Sequence, residues 1–186
     1  MPRDEEAVVR GVRLAVDVGS VRVGLATSDP DGLLATPVAT LARDTKSGRR
    51  TPSDVAEIVR EVGERGAVVV YVGLPRHLSG TEGAASGAAR AYAVQLAQAV
   101  APVRVRLVDE RMSTVSAHQA LHASGRSGRR HRQVVDQAAA VVILQYALDA
   151  ERATGRRPGE RVDADPPQHG PVARGGTAGD GGTTLE

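Results

Sequence analysis

Cysteine, phenylalanine and tryptophan are absent from the 186 residues, tyrosine occurs three times and methionine twice. Without cysteine there is no disulfide, no thiolate metal site and no cysteine nucleophile, so any metal must sit on oxygen or imidazole. So few aromatic rings argue against base stacking as the main mode of binding single-stranded nucleic acid. No apolar run approaches the roughly 20 residues of a membrane span, and the start MPRDEEAVVRG lacks the apolar stretch of a signal peptide. The chain is read as cytoplasmic, with no membrane partner. Its core must be built from Val, Ala and Leu. The length suits one domain and a tail, and is too short for two lobes of ordinary size.

The formal charge of +2 is unevenly placed. Residues 151–186 hold five arginines and six acids, and the remainder carries a net +3. Within that remainder RSGRRHR, residues 126–132, gathers Arg126, Arg129, Arg130 and Arg132 without an acid. Such a cluster attracts phosphate, although a solvated basic loop is the commoner origin of a short run.

Residues 12–18, 21–28 and 33–41 read as three strands of an antiparallel meander, with tight turns at Gly19-Ser20 and Asp29–Gly32. A helix from about Pro52 to Arg65 follows, capped by Ser53 or Thr51. AVVVYVG, 67–73, is a continuous apolar run, as a strand covered on both faces requires. Helices at about 84–100 and 114–124 flank a strand at 103–109, and after the basic loop VVDQAAAVVILQYALDAER forms the last helix. The order β-β-β-α-β-α-β-α-α is that of the ribonuclease H-like α/β fold: a mixed five-stranded sheet, three antiparallel strands then parallel ones, with helices on both faces. From Thr154 onward, twelve of 33 residues are Gly or Pro. The expected organisation is a flexible N-terminus over 1–11, the domain over 12–152, and a disordered tail over 153–186.

One strand spends a charge where none is expected. In LAVDVGS, Asp17 shares a face with Ala15, which is too small to suggest a solvated face. A carboxylate so placed must be hydrogen-bonded, paired or bound to metal. Asp109 and Glu110 close the strand VRVRLVDER, and Asp136 shares a helical face with Ala139, Ala140, Ile143 and Ala147. At the carboxyl edge of such a sheet Asp17, Asp136 and one acid of the pair can converge. Strand alternation allows only one of Asp109 and Glu110; Glu110 is taken, with Asp109 kept open. Converging carboxylates call for a divalent cation, and oxygen-only ligands suit Mg²⁺ or Mn²⁺. Each acid also has a plainer reading: Asp17 as a turn residue, Asp136 as a complement to a helix N-terminus, Asp109 and Glu110 as surface partners of Arg111 or Arg106.

The segments LAVDVGSVRVGLATSDPDGLLATPVATL, VVVYVGLPRHLSGTEG, VRLVDERMSTVSAHQAL and VVDQAAAVVILQYALD, in that order, strongly resemble the bacterial YqgF/RuvX family over roughly residues 12–150. Its members are described as pre-16S rRNA nucleases and as Holliday-junction-resolvase-like. The resemblance implies a metal-dependent nuclease acting in 5′-end maturation of 16S rRNA, with precursor ribosomal particles as a partner, or a resolvase of branched DNA. It maps the family's acids to Asp17, Glu110 and Asp136. One departure is Arg76-His77-Leu78-Ser79, where the family usually carries an asparagine-bearing segment.

Around these acids, GLPRHLSGTEG offers backbone N–H groups to a phosphate, or a capping box from Ser79 and Glu82. Arg111, Arg126, Arg129, Arg130 and Arg132 would form a basic rim for a nucleic-acid backbone recognised by shape. His118, His122 and His131 lack metal-ligand spacing. Two competing functions remain. An actin-like phosphotransferase shares D-x-G-S before a hairpin but needs two such domains. A non-catalytic ribosome-assembly module would keep the fold and lose the acids, and all three are present. A homodimer suits two cuts in a junction, a monomer the trimming of one strand.

Overall fold

Alternation decides how the first strand is used. In β1 (Val12–Val18) Leu14 and Val16 face one way and Ala15 the other, and all three are fully buried, so β1 is central and covered on both sides. The computed structural model describes residues 7–46, 48, 50–77, 79–110 and 129–164, with 129–137 described by backbone alone. β2 (Arg22–Ser28) and β3 (Ala35–Ala42) continue the antiparallel meander. Helix α1 (Ser53–Arg65) leads to β4 (Ala67–Leu74), and α2 (Ala84–Val100) leads to β5 (Arg104–Asp109). β4 runs parallel to β1, and β5 to β4. Helix α3 (Arg129–Thr154) and β6 (Glu160–Arg161) complete a sheet in the order β3-β2-β1-β4-β5-β6. The helix expected at 114–124 lies outside the described residues.

The sheet separates two cores. Leu14, Val16, Val72 and Leu107 pack against Ile58 of α1 and Leu96 of α2. On the other face Ala15, Tyr71 and Val108 lie beneath Ala140, Ile143, Leu144 and Ala147 of α3, whose spacing of three and four is one helical stripe. Alanine at 15 and 26 keeps that face low, so one long helix sits close to the strands.

Two polar attachments fix where α3 lies. Arg13 and Glu151 are each 3% exposed, and Arg13 donates from Nε at 3.0 Å and pairs through Nη2 at 2.8 Å with Glu151 Oε2. The Tyr71 hydroxyl donates to Glu151 Oε1, and burial together with that carboxylate pushes the phenol far above its ordinary pKa. Nearer the helix middle, Gln145 accepts from Ala35 N–H at 3.0 Å and donates to Leu33 O at 3.2 Å.

Three expectations change. The sheet has six strands and not five, because residues 155–164, assigned by composition to a disordered tail, turn back onto β5. Arg106 donates to Pro158 O at 2.8 Å and Gly159 O at 2.6 Å, and Val162 N–H donates to Val105 O at 3.0 Å. Gly159 is required there: its φ is +82°, and a Cβ would lie 2.2 Å from Leu107 O. The last helix also begins at Arg129, so Arg129, Arg130 and Arg132 are helical and not loop residues, and Asp136 lies inside the helix and not at its opening. Arginine is a good helix former, and the loop signal came from Gly125 and Gly128 beside it. At α1, Pro52 occupies the cap position without a side-chain bond, and Asp44 Oδ2 accepts from Ser53 N–H at 3.0 Å.

Truncation of Glu151 to alanine strands Arg13 in the core, and breaking such a pair costs about 3–5 kcal/mol. Denaturant unfolding of Glu151→Ala should show a loss of that order, and the double substitution Arg13→Met with Glu151→Leu should recover much of it.

Candidate active site at the carboxyl ends of the parallel strands

The carboxyl ends of β1, β4 and β5 lie side by side. Asp17, on β1, is paired with Gly24 of β2, and the match of Val16 with Val72 sets it level with Gly73 on β4. Period two puts Asp17 on the same face as Ala15, the face covered by α3. The turn that follows is closed by backbone, Gly19 N–H donating to Arg22 O at 2.9 Å.

Glu110 follows β5 directly, and two residues before it Val108 faces α3. Its carboxylate rests on bare backbone. A Cβ on Gly73 would lie 2.6 Å from Glu110 Oε1 and 2.6 Å from Ile143 Cδ1, so only glycine admits the carboxylate between β4 and α3. Burial first, then the charges of Asp17 and Asp109, push Glu110 up from 4.5 to about 7. That shift is the electrostatic sign of two acids crowded into one partly dry place.

Asp109 takes the other side of the strand. Arg76 Nε stands 3.8 Å from its Oδ2. The alternation that left the pair open thus sets Glu110, and not Asp109, on the α3 face with Asp17. Position 136 lies seven residues before Ile143 on one stripe of α3, two turns or about 10 Å along the axis toward the acid edge. Arg129 and Arg132 continue that stripe. Arg111, Arg126, His118 and His122 lie outside the described residues.

Between β4 and α2 the chain turns through Gly80 N–H to His77 O at 2.8 Å and His77 N–H to Thr81 O at 3.0 Å. The expected capping box of Ser79 and Glu82 does not form. The helix starts at Ala84, so Gly83 is the cap residue and its N–H donates to Ser86 Oγ at 3.1 Å. Glu82 instead joins Arg76 at 3.0 Å and Arg90 at 2.8 Å. The close approach at Gly73 was hidden in the sequence, where the glycine read as the end of an apolar run before Leu74-Pro75; a glycine closing a buried strand is the available signal for such an approach.

Among the described residues no group of three or more His, Asp or Glu forms a metal cluster, Asp136 being described by backbone alone. The donor set nonetheless fits a hard divalent cation. Both carboxylates offer oxygen, burial and then the neighbouring acid charges push Glu110 up to about 7, and the glycine cradle keeps that carboxylate in place.

A mixed sheet with three antiparallel strands, two parallel additions, helices on both faces and acids at the carboxyl edge is a ribonuclease H-like domain. The family model RuvX, described as Holliday junction resolvase, matches residues 11–150. A protein of Kineococcus radiotolerans is 58% identical over 156 residues, covering 84% of this chain and 80% of its own. One of Streptomyces coelicolor is 53% identical over 154 residues, covering 83% and 89%, and both carry the name "Putative pre-16S rRNA nuclease". A solved structure of Thermus thermophilus RuvC is 17% identical with a TM-score of 0.47, over 79% of this chain and 99% of that one. The chain belongs to the RuvX family. Among the described residues no helix is long and apolar enough to cross a membrane.

Because the folded state holds Glu110 protonated where the unfolded chain does not, stability falls as pH rises from 4.5 to about 7 and then stays level. In chelator, Glu110→Gln should therefore be more stable than wild type above pH 7, by on the order of 2 kcal/mol, and should lose that advantage below pH 4.5. Denaturant unfolding at the two pH values checks the sign.

Proposed function

We propose that the chain is a divalent-metal-dependent nuclease that hydrolyses phosphodiester bonds in structured nucleic acid, acting on the 5′ end of precursor 16S rRNA. The convergence of Asp17 and Glu110 over Gly73 carries this reading, because two acids crowded at one sheet edge destabilise the fold unless they hold something positive. The names of the relatives support the substrate, and the family description supports branched DNA as the alternative.

Asp17, Glu110 and Asp136 would hold Mg²⁺ or Mn²⁺. When bound, such ions stabilise the attacking and leaving oxygens of a phosphodiester displacement. Glu110 gives up its proton as the site fills. Gly73 and Ile143 keep its carboxylate from swinging away, and α3 delivers position 136 from above. Arg129 and Arg132, on the stripe of Asp136, extend that line past the acids, and together with Arg111, Arg126 and Arg130 would grip the flanking phosphates. A cytoplasmic location, and precursor ribosomal particles as the setting, accord with this substrate. One copy suffices to trim a single strand.

The test compares wild type with Asp17→Asn on a labelled precursor 16S rRNA 5′ leader and on a four-way DNA junction, with Mg²⁺, Mn²⁺ or EDTA. Cleavage should need the metal and fall by at least 100-fold in the variant, with the leader preferred; loss of one positioned group commonly costs that much. A preference for the junction would reassign the substrate. Retained binding with no cleavage of either substrate under any metal condition would leave an assembly module as the reading.

A further inference from the structure

A chain of ion pairs runs from the last strand to the acid edge. Arg90 on α2 holds both oxygens of Glu160, at 2.9 Å each, and both oxygens of Glu82, at 2.8 Å each. Four of its five N–H donors are used, and these partners drive its pKa further up while pulling Glu82 and Glu160 down. Arg76 is not used in this way. Among the described residues it donates one hydrogen bond, from Nη2 to Glu82 Oε1 at 3.0 Å. Its Nε is buried with no hydrogen-bond partner among them, Asp109 at 3.8 Å being within ion-pair distance but beyond hydrogen-bond reach.

A cavity of about 170 Å³ opens beside this guanidinium. Arg76, His77 and Ser86 line it with Pro75, Gly83 and Ala84, and no acid is among the residues of its wall. His77 closes over Gly83, where a Cβ would lie 2.8 Å from Nε2. The cavity stands at the end of β4, and Arg76 comes three residues past the glycine that carries the Glu110 carboxylate.

We infer that Arg76, with His77, forms a subsite for a phosphate of the nucleic-acid backbone next to the one that is cut; the assignment rests on the nuclease reading for the ligand's identity. A guanidinium that spends a single hydrogen bond on Glu82 and stands 3.8 Å from Asp109 keeps donors for a phosphate, which offers several acceptor oxygens. Release of Arg76 from Glu82 leaves no buried charge alone, because Arg90 still holds both oxygens of that carboxylate. Arg76 can therefore exchange Glu82 for phosphate while Glu82 stays paired with Arg90.

Binding in EDTA separates this subsite from the cleavage chemistry. Anisotropy of a fluorescein-labelled RNA duplex, titrated across KCl concentrations with wild type, Arg76→Ala and Glu82→Gln, gives affinity and salt slope. Arg76→Ala should bind about 5- to 20-fold more weakly at low salt, with the slope of log K against log salt smaller by about one, the signature of one lost phosphate contact. Glu82→Gln should bind as well as wild type or better, since it frees Arg76. An unchanged slope in Arg76→Ala, or an equal loss in Glu82→Gln, would make Arg76 a structural partner of Glu82 and overturn the assignment. Circular dichroism confirms that each variant is folded. Absence of cleavage by the wild type under every metal condition would sink the nuclease reading alone, since this titration contains no metal.

Discussion

Arg13 and Glu151 meet in the dry interior between β1 and the last turns of α3, and the rest of the molecule depends on that meeting. Two buried charges are no source of great stability, since desolvation offsets most of their attraction. They act as a specification. With Tyr71 on the second oxygen of Glu151 and Gln145 bonded to both Leu33 and Ala35, α3 has one longitudinal setting on a smooth alanine-rich face. A helix held at its carboxyl-terminal end delivers its amino-terminal half to the opposite edge of the sheet, and that half carries position 136.

At that edge the fold accepts an unfavourable arrangement. Asp17 and Glu110 repel, Glu110 is partly desolvated, and Gly73 gives up a side chain so that the carboxylate can lie on β4. A chain built only for stability would place glutamine at 110, which fills the same space over Gly73 without the charge. Here the strain is local and oriented, with both carboxylates on the α3 face and Asp109 turned to the other side beside Arg76. The acid edge and the buried Arg13–Glu151 pair lie at opposite ends of one helix, so the pair that sets its position is kept away from the groups that repel.

The elements of the domain were legible because their periods are clean. Alternation in VRLAVDV, the unbroken run AVVVYVG and the three-four stripe of α3 each fix a face, and β1 has the bounds its pattern implies. Asp17 was legible for the same reason, as a charge on the wrong face of a buried strand. What could not be read were features set by close approach across distant segments. Gly159 reads as tail composition until its backbone is seen against Leu107 O, and Arg106 reads as a surface charge until it is seen donating to Pro158 and Gly159. Choosing between Asp109 and Glu110 required the cradle at Gly73, and the start of α3 at Arg129 was masked by glycines three residues apart.

In the proposed nuclease, the role of α3 is to bring Asp136 to the carboxylates of Asp17 and Glu110 and so complete one cation site. Its most direct test is a Mn²⁺ titration followed by electron paramagnetic resonance, comparing wild type with Asp136→Asn at pH 7.5. Saturable binding in wild type, weakened about 10-fold or more in the variant while the fold is kept, is the predicted result for loss of one carboxylate ligand. Equal Mn²⁺ affinity in the two proteins would contradict it, and would separate the helix that Arg13 and Glu151 hold from the acids it covers.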